Sequence, residues 1–299
     1  MPLPRRPASP PPGDDGTLHD HATDRETHLS DLAVTTVNND IDEQHLRTVL
    51  GERSIRSYPA VLSTEASAMA WARENAPTGS VVIADYQASP RGRGGLVWTV
   101  EPGHSLAFTL ILRPELNLER EGWPYVPALL ALHDVVGTDR TGLLWPDTIE
   151  DDTGTVHASL GVYIEPGPHS TTQWVTVNVL IPQATQPRAE LLAQLLAALE
   201  RRISAPAGQV LSDYIPLCRT MGQQRRARLI PMGPGGPEVN GKAVDVLADG
   251  ALVLLTARGN RVAVPPHNLG MLEDPEGVVE PPTGMLRSPT NPVTQVWPN

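Results

Sequence analysis

Of the chain's 23 basic residues only one, Lys242, is a lysine. Chemistry that needs a primary amine therefore has a single candidate. The one cysteine, Cys218, excludes an intrachain disulfide framework and fits a reducing compartment. No run approaches the roughly 18 consecutive apolar residues of a membrane span. The start, Met1-Pro-Leu-Pro-Arg-Arg-Pro, lacks the apolar centre of a secretory signal. A cytoplasmic location and no membrane partner are expected. Basic runs are scarce as well, the clearest being Arg225-Arg226-Ala227-Arg228 in a chain of net charge −11. An acidic surface repels phosphate backbones, so nucleic acid is not an expected partner.

What is present suits an α+β protein with tails. The 299 residues are 40% apolar, enough for a core and for one large domain plus a small one. Residues 1–30 are Pro-rich, then acidic and dotted with His19, His21 and His28, without apolar periodicity, and read as a disordered tail. These histidines lack the fixed spacing of metal ligands, and no metal site is expected. The segment 276–299 reads as a second disordered tail. Between them, apolar spacing predicts helices over 41–50, 66–75 (with Ser63 or Thr64 as cap), 127–136 and 189–203. β-Branched runs predict strands over 80–86, 106–112, 161–164 and 174–181. From Tyr214 onward short strands over 226–230, 241–247, 251–256 and 261–264 alternate with turns. Ala248-Asp249-Gly250 is a hairpin signal among them. The expected organisation is a mixed or antiparallel sheet with helices over 31–205, followed by a small β-barrel over 206–275.

The densest chemistry lies in Gln87-Ala88-Ser89-Pro90-Arg91-Gly92-Arg93-Gly94-Gly95-Leu96-Val97-Trp98. Glycines let backbone N–H groups approach an anion, and arginines offer bidentate bonds to carboxylate or phosphate. The segment resembles the glycine-arginine loop of biotin–protein ligases, roughly Q-x-x-G-R-G-R-x-G-R-x-W, with Gln87, Arg91, Gly92, Arg93, Gly95 and Trp98 in register. Other features follow in that family's order. Ser63-Thr64-Glu65 resembles its S-T-N, although the same residues read equally as a helix cap. Leu144-Trp145-Pro146-Asp147-Thr148-Ile149 resembles K-W-P-N-D-[IL], and Gly161-Val162-Tyr163-Ile164-Glu165 resembles G-I-L-x-E. Asn178 stands where G-x-G-x-N is expected, and 213–252 resembles the C-terminal SH3-like barrel of the actinobacterial type.

The resemblance implies ATP-dependent activation of biotin to biotinyl-adenylate and transfer to a lysine of a biotin carboxyl carrier protein domain, with biotin and ATP/Mg as substrates. It places the small-molecule acid on Ser63, Thr64, Gln87, Arg91, Gly92, Arg93, Gly95 and Trp98, and the nucleotide near Trp145 and Asn178. The chain departs from the pattern where phosphate is handled. Leu144 replaces a lysine, Leu96 an arginine, and Ala158 falls where the catalytic lysine is expected, with His157 beside it as a substitute cation. Losing one such electrostatic group costs on the order of 10²–10³ in rate. The alternative implied by those departures is a pseudoenzyme that binds a biotin-like acid or a carrier domain without ligation. The run Asp147, Glu150, Asp151, Asp152 reads as a solvated loop or as a site for Mg²⁺. A repressor would need a helix-turn-helix near the N-terminus, and residues 31–58 offer one short helix.

Overall fold

The computed structural model describes residues 40–275, residue 234 excepted. The two tails read from the sequence, with their histidines, fall outside the described residues.

Twelve strands and five α-helices form two sheets among the described residues. Helix α1 (Glu43–Leu50) opens on an Asp42 cap whose carboxylate accepts from the His45 N–H at 2.9 Å. Strand β1 (Ile55–Val61), helix α2 (Thr64–Arg73), β2 (Val81–Gln87) and β3 (Leu106–Leu112) follow, then α3 (Tyr125–Val136). Next come β4 (Thr141–Leu144), β5 (Thr148–Asp151), the long hairpin β6 (Val156–Pro166) and β7 (Thr172–Ile181), and helix α4 (Arg188–Ile203). The first sheet runs β1-β2-β3-β7-β6-β5-β4, parallel between β1 and β2 and antiparallel elsewhere. It is therefore mixed, as the sequence pattern predicts.

Successive side chains of a strand point to opposite faces, and here the two faces carry different loads. Val81 and Ile83, Phe108 and Leu110, and Val175, Val177 and Val179 join the core built with α3 and α4. Leucines such as Leu129 and Leu192 are fully buried in it, and truncation of either to alanine costs about 2–5 kcal/mol. The other face is thinner. There α2 lays Ala68 and Ala72 on Val82, Ile111 and Trp174. Short side chains bring this helix close to the sheet and leave the site's polar residues on that face.

Helix α5 (Ala207–Tyr214) packs on α3, burying Val210 and Tyr214 in the larger core. Arg202 of α4 holds Asp134 of α3 and Asp213 of α5, tying the three helices together. The C-terminal part adds β8 (Gln224–Leu229), β9 (Glu238–Val246), β10 (Leu252–Leu255), β11 (Arg261–Val264) and β12 (Leu269–Glu273). Their order β11-β10-β9-β8-β12 is antiparallel throughout, with the expected hairpin at Asp249-Gly250 joining β9 to β10. The strands form a barrel-like but open sheet, because β11 and β12 remain its two edges. Closure of the expected barrel is thus not seen.

Candidate functional site

The site begins where α2 meets the sheet. Gln87, the last residue of β2, aims its side-chain oxygen at the start of α2, accepting from the Thr64 N–H at 2.8 Å. That bond uses a free N–H of the helix's first turn. Ser63 precedes it as N-cap with an extended backbone and no capping bond from its own side chain. The Thr64 hydroxyl lies 3.2 Å from the same Gln87 oxygen and 3.0 Å from the hydroxyl of Thr109 on β3. Thr109 lies 2.6 Å from Asn178 Oδ1 on β7. Each hydroxyl has one proton to give. Thr109 spends its proton on the Asn178 oxygen, and Thr64 supplies its own to Gln87 or Thr109.

All four residues are buried, and the network is incomplete. Asn178 Nδ2 and Thr176 Oγ1 have no hydrogen-bond partner. Buried polar atoms are rarely left so, which makes this face of the sheet receptive to a ligand that accepts a hydrogen bond. Glu65, next along α2, borders the network. Burial raises its carboxyl above the usual range, while the Asn178 amide opposes the rise. Burial likewise keeps the Tyr125 phenol protonated, and its oxygen sits between the N–H and carbonyl of Val162.

The glycine-arginine loop folds back on itself, with Gly92 N–H bonded to Leu96 O at 2.7 Å and Trp98 N–H to Pro90 O at 3.1 Å. Gly94 and Gly95 make the turn with left-handed backbone, φ 59° and 80°. The loop lies on β6 at Gly161, where an added Cβ would stand 3.0 Å from Arg93 N and Gly92 C. Gly92 in turn faces the Trp98 indole, and Trp98 packs on Val100, Ala107 and Leu180. The two arginines have different roles. Arg91 is exposed and bonds Ser89 Oγ and Gly95 O at 3.2 and 3.1 Å. Arg93 is buried, pairs with Asp147 at 2.7 Å and also donates to Leu269 O of the C-terminal sheet.

Beyond Arg93 a cleft of about 270 Å³ opens between the sheets, bordered by Leu96, Leu144, Trp145, Thr148, Thr220 and Arg225 among others. Trp145 is almost fully buried, its N–H meeting Thr220 Oγ1 at 3.0 Å and its indole Nε1 meeting Gly250 O at 2.9 Å. It reads more as a clamp between sheets than as a free wall.

The structure thus brings together Ser63, Thr64, Gln87 and Asn178, and separately Arg93 and Trp145. Ala158 stands apart from both groups. It is buried in the core with Leu160, on the face opposite Asn178, whereas its neighbours His157 and Ser159 alternate onto the site face. A lysine at 158 would point into the core. His157 is half-buried and bonded to Asp151 Oδ2 at 3.1 Å. The acidic run does not converge. Asp151 organises the Thr153–Thr155 turn, Asp152 pairs with Arg140, and Asp147 pairs with Arg93. Among the described residues no three His, Cys, Asp or Glu side chains could share a metal ion.

Thr109, the hub of the network, escaped the sequence reading although it is the lone hydroxyl in Leu106–Leu112. A polar group inside an apolar strand needs a partner, and that was the available signal. Arg225, read only as part of a basic run, was missed as a cleft residue too.

Comparison with known proteins sets this geometry in context. No family model matches the chain. A biotin–[acetyl-CoA-carboxylase] ligase of Mycobacterium tuberculosis is 27% identical over 242 residues, which cover 72% of this chain and 90% of that protein. The bifunctional ligase/repressor BirA of Bacillus subtilis is 36% identical over 107 residues. The match takes in 34% of this chain and spans only 32% of the length of the Bacillus protein. Among solved structures, a biotin protein ligase from Aquifex aeolicus in complex with biotin and ATP superposes with a TM-score of 0.54 at 18% identity, covering 74% of this chain and 99% of that one. That likeness establishes the fold. The chain is thus similar to a biotin–[acetyl-CoA-carboxylase] ligase along most of that protein's length and shares the fold of a biotin protein ligase.

Proposed function

We propose that the chain is a biotin–[carrier protein] ligase-like protein that binds biotin or a similar acid on the α2 face of its larger sheet. The observation that carries this reading is the buried Thr64–Gln87–Thr109–Asn178 network with its unpartnered Asn178 amide. Ser63, Gly92, Gly95 and Trp98 shape the walls, and exposed Arg91 meets the acid's carboxylate. In this reading the larger body, 31–205, carries the acid and ATP, and 206–275 is the SH3-like barrel of the family, here open. Buried Cys218, a free thiol, fits a reducing cytoplasm. No described helix is long and apolar enough to cross a membrane.

The chemistry that follows joins two anions. The acid's carboxylate attacks the α-phosphorus of ATP, which enters as its magnesium complex, and pyrophosphate leaves. A lysine amine of a biotin carboxyl carrier protein domain then attacks the acyl carbon and AMP leaves. Both steps need positive charge at the phosphate. Arg93 and Trp145 border that place, whereas Asn178, a nucleotide-side candidate by resemblance, is linked into the acid network.

A second reading, acid or carrier binding without ligation, is favoured by one observation. The positions of the family's lysines hold Leu144, beside the cleft, and Ala158, in the core. Lys242 is exposed on β9. Mass spectrometry of the full chain with biotin, ATP and Mg²⁺ decides between them. Biotinyl-adenylate is the expected product of the first reading. Its absence from folded, biotin-binding protein leaves the second, and absence of biotin binding as well removes ligation and biotin binding and leaves carrier binding alone. Arg91→Ala should weaken biotin binding several-fold; an unchanged affinity would remove Arg91 from the site.

A further inference from the structure

Both feet of the glycine-arginine loop are tied to one buried arginine on the α4 face of the sheet, opposite α2. Arg188, the first residue of α4, is almost fully buried and lies between two carboxylates. Its Nε donates to Asp40 Oδ1 and its backbone N–H to Asp40 Oδ2, each at 2.7 Å. Its Nη1 donates to Asp85 and lies 3.4 Å from Ser105 O. Asp85 stands two residues before Gln87 on β2, and it also accepts from the Gly103 N–H at 2.9 Å, just ahead of β3. From this clasp contacts run on to the loop. The Ser105 hydroxyl accepts from the Glu101 N–H at 3.0 Å and donates to Pro182 O at 2.8 Å. Val100 packs with Trp98 on Ala107 and Leu180, and the Trp98 indole lies so close to Gly92 that an added Cβ there would stand 2.5 Å from it. A cation in the first turn of a helix opposes the helix dipole, and burying three charges costs desolvation, so the clasp is a poor device for stability alone. What it fixes is the place of the β2 end and of both loop feet.

We propose that Arg188 is a positioning residue for the glycine-arginine loop: by holding Asp85, Gly103 and Ser105 together it sets Trp98 against Gly92 and Gln87 toward α2. It touches no ligand and acts through these neighbours, as supporting residues behind a binding site do. The identity of the ligand rests on the acid-binding reading, whereas the set of the loop does not.

The test is amide hydrogen exchange of the full chain, read at Gly92 and Trp98, together with calorimetric titration of biotin. The variant removes the charges and keeps the shapes: Arg188→Met with Asp40→Asn and Asp85→Asn, whose side-chain oxygens can still accept from the backbone N–H at position 188 and from Gly103. Its urea midpoint should stay near the parent's, because a neutral replacement of a whole buried ion cluster is often close to neutral in stability. The Gly92 and Trp98 amides bond to Leu96 O and Pro90 O, which the clasp does not touch. They should exchange about tenfold faster or more, with biotin bound about tenfold more weakly. Amides of α3 should exchange as in the parent, which separates a loosened loop from a weaker fold. Arg188→Lys, a point charge without the planar fork, should fall between the two, and it carries the comparison if the neutral variant does not fold. Faster exchange confined to 101–105, or spread evenly over the loop and α3, overturns the proposal. A loosened loop with unchanged biotin affinity overturns it as well. A loosened loop in a protein whose parent binds no biotin upholds the positioning role and removes the acid reading.

Discussion

Thr109→Val isolates the hub of the polar network. Valine nearly matches threonine in volume, so the substitution removes a hydroxyl without opening a cavity in a fully buried position. Two bonds end there, at 3.0 Å to Thr64 and 2.6 Å to Asn178. Thr64 loses nothing essential, since its hydroxyl still has the Gln87 oxygen at 3.2 Å. Asn178 loses the donor to its oxygen, while its nitrogen makes no close hydrogen bond and has the Glu65 carboxyl as its polar neighbour. One orphaned buried acceptor costs about 1–3 kcal/mol, a factor of roughly 5 to 150 in the unfolding equilibrium. With a urea slope near 3 kcal/mol/M, the midpoint should fall by roughly 0.3–1 M at constant slope. Urea unfolding followed by tryptophan fluorescence reads this, because Trp174 is buried beside Thr176 on the same strand. Thr109→Ser keeps the hydroxyl and should recover most of the polar loss. A Thr109→Val protein as stable as the parent would refute the claim that this hydroxyl satisfies Asn178.

Three other outcomes are expected. Arg93→Met strands Asp147 and the Leu269 carbonyl in a nearly dry junction and should cost about 3–5 kcal/mol, while Arg93→Met with Asp147→Leu should recover much of it; equal stabilities in denaturant titrations would deny the pair that role. Glu65 has a folded pKa raised by burial, so the folded state holds its proton longer than the unfolded one. Its contribution to stability is present at low pH and is lost as pH rises from the usual carboxylate range through that raised value. Glu65→Gln should flatten this fall, and a melting-temperature profile identical to the parent's would contradict it. Gly250 has φ 85° and an added Cβ would stand 2.1 Å from Gly122 O, so Gly250→Ala should destabilise by about 1–3 kcal/mol and loosen the Trp145 indole; unchanged tryptophan emission and melting would count against it.

Much of this architecture was readable from periodicity. The expected helices over 127–136 and 189–203 appear as α3 and α4, and the runs at 106–112 and 174–181 as β3 and β7. Strand β1 was not read because Pro59 interrupts it, an allowance that holds only at a sheet edge, where β1 lies. Strands β4, β5 and β12 have four or five residues each and, unlike the equally short β10 (LVLL) and β11 (RVAV), contain glycine or acidic residues, which strands disfavour. The face of Ala158 was legible and was passed over. Val156, Ala158, Leu160, Val162 and Ile164 alternate with His157, Ser159, Gly161, Tyr163 and Glu165, and that period alone puts Ala158 on the apolar side. The pairing of Arg93 with Asp147 and Leu269 could not be read, since those partners lie 54 and 176 residues away.

Those distant partners also explain how charge is distributed at the site. The C-terminal sheet is bound to the larger body through its backbone carbonyls. Ala248 O accepts from Arg120, Gly250 O from Trp145 and Leu269 O from Arg93. In each case the donor is a side chain of the larger body, and side chains opposite add to the join, with His267 paired to Glu121 at 2.7 Å and Arg219 donating to Arg140 O at 2.6 Å. The arrangement has a cost for chemistry. Arg93 spends two of its five N–H groups on Asp147 and Leu269 O, so a substrate would have to share the guanidinium with both. The proposed acid site does not draw on it, because Thr64, Gln87 and Asn178 belong to their own network and exposed Arg91 is the cation assigned to the carboxylate. A phosphate in the cleft would need a cation, and among the described residues the Arg225 side chain borders the cleft with a buried N–H that lacks an acceptor. In the proposed reading acid binding can therefore survive the loss of adenylation, because the two draw on different residues.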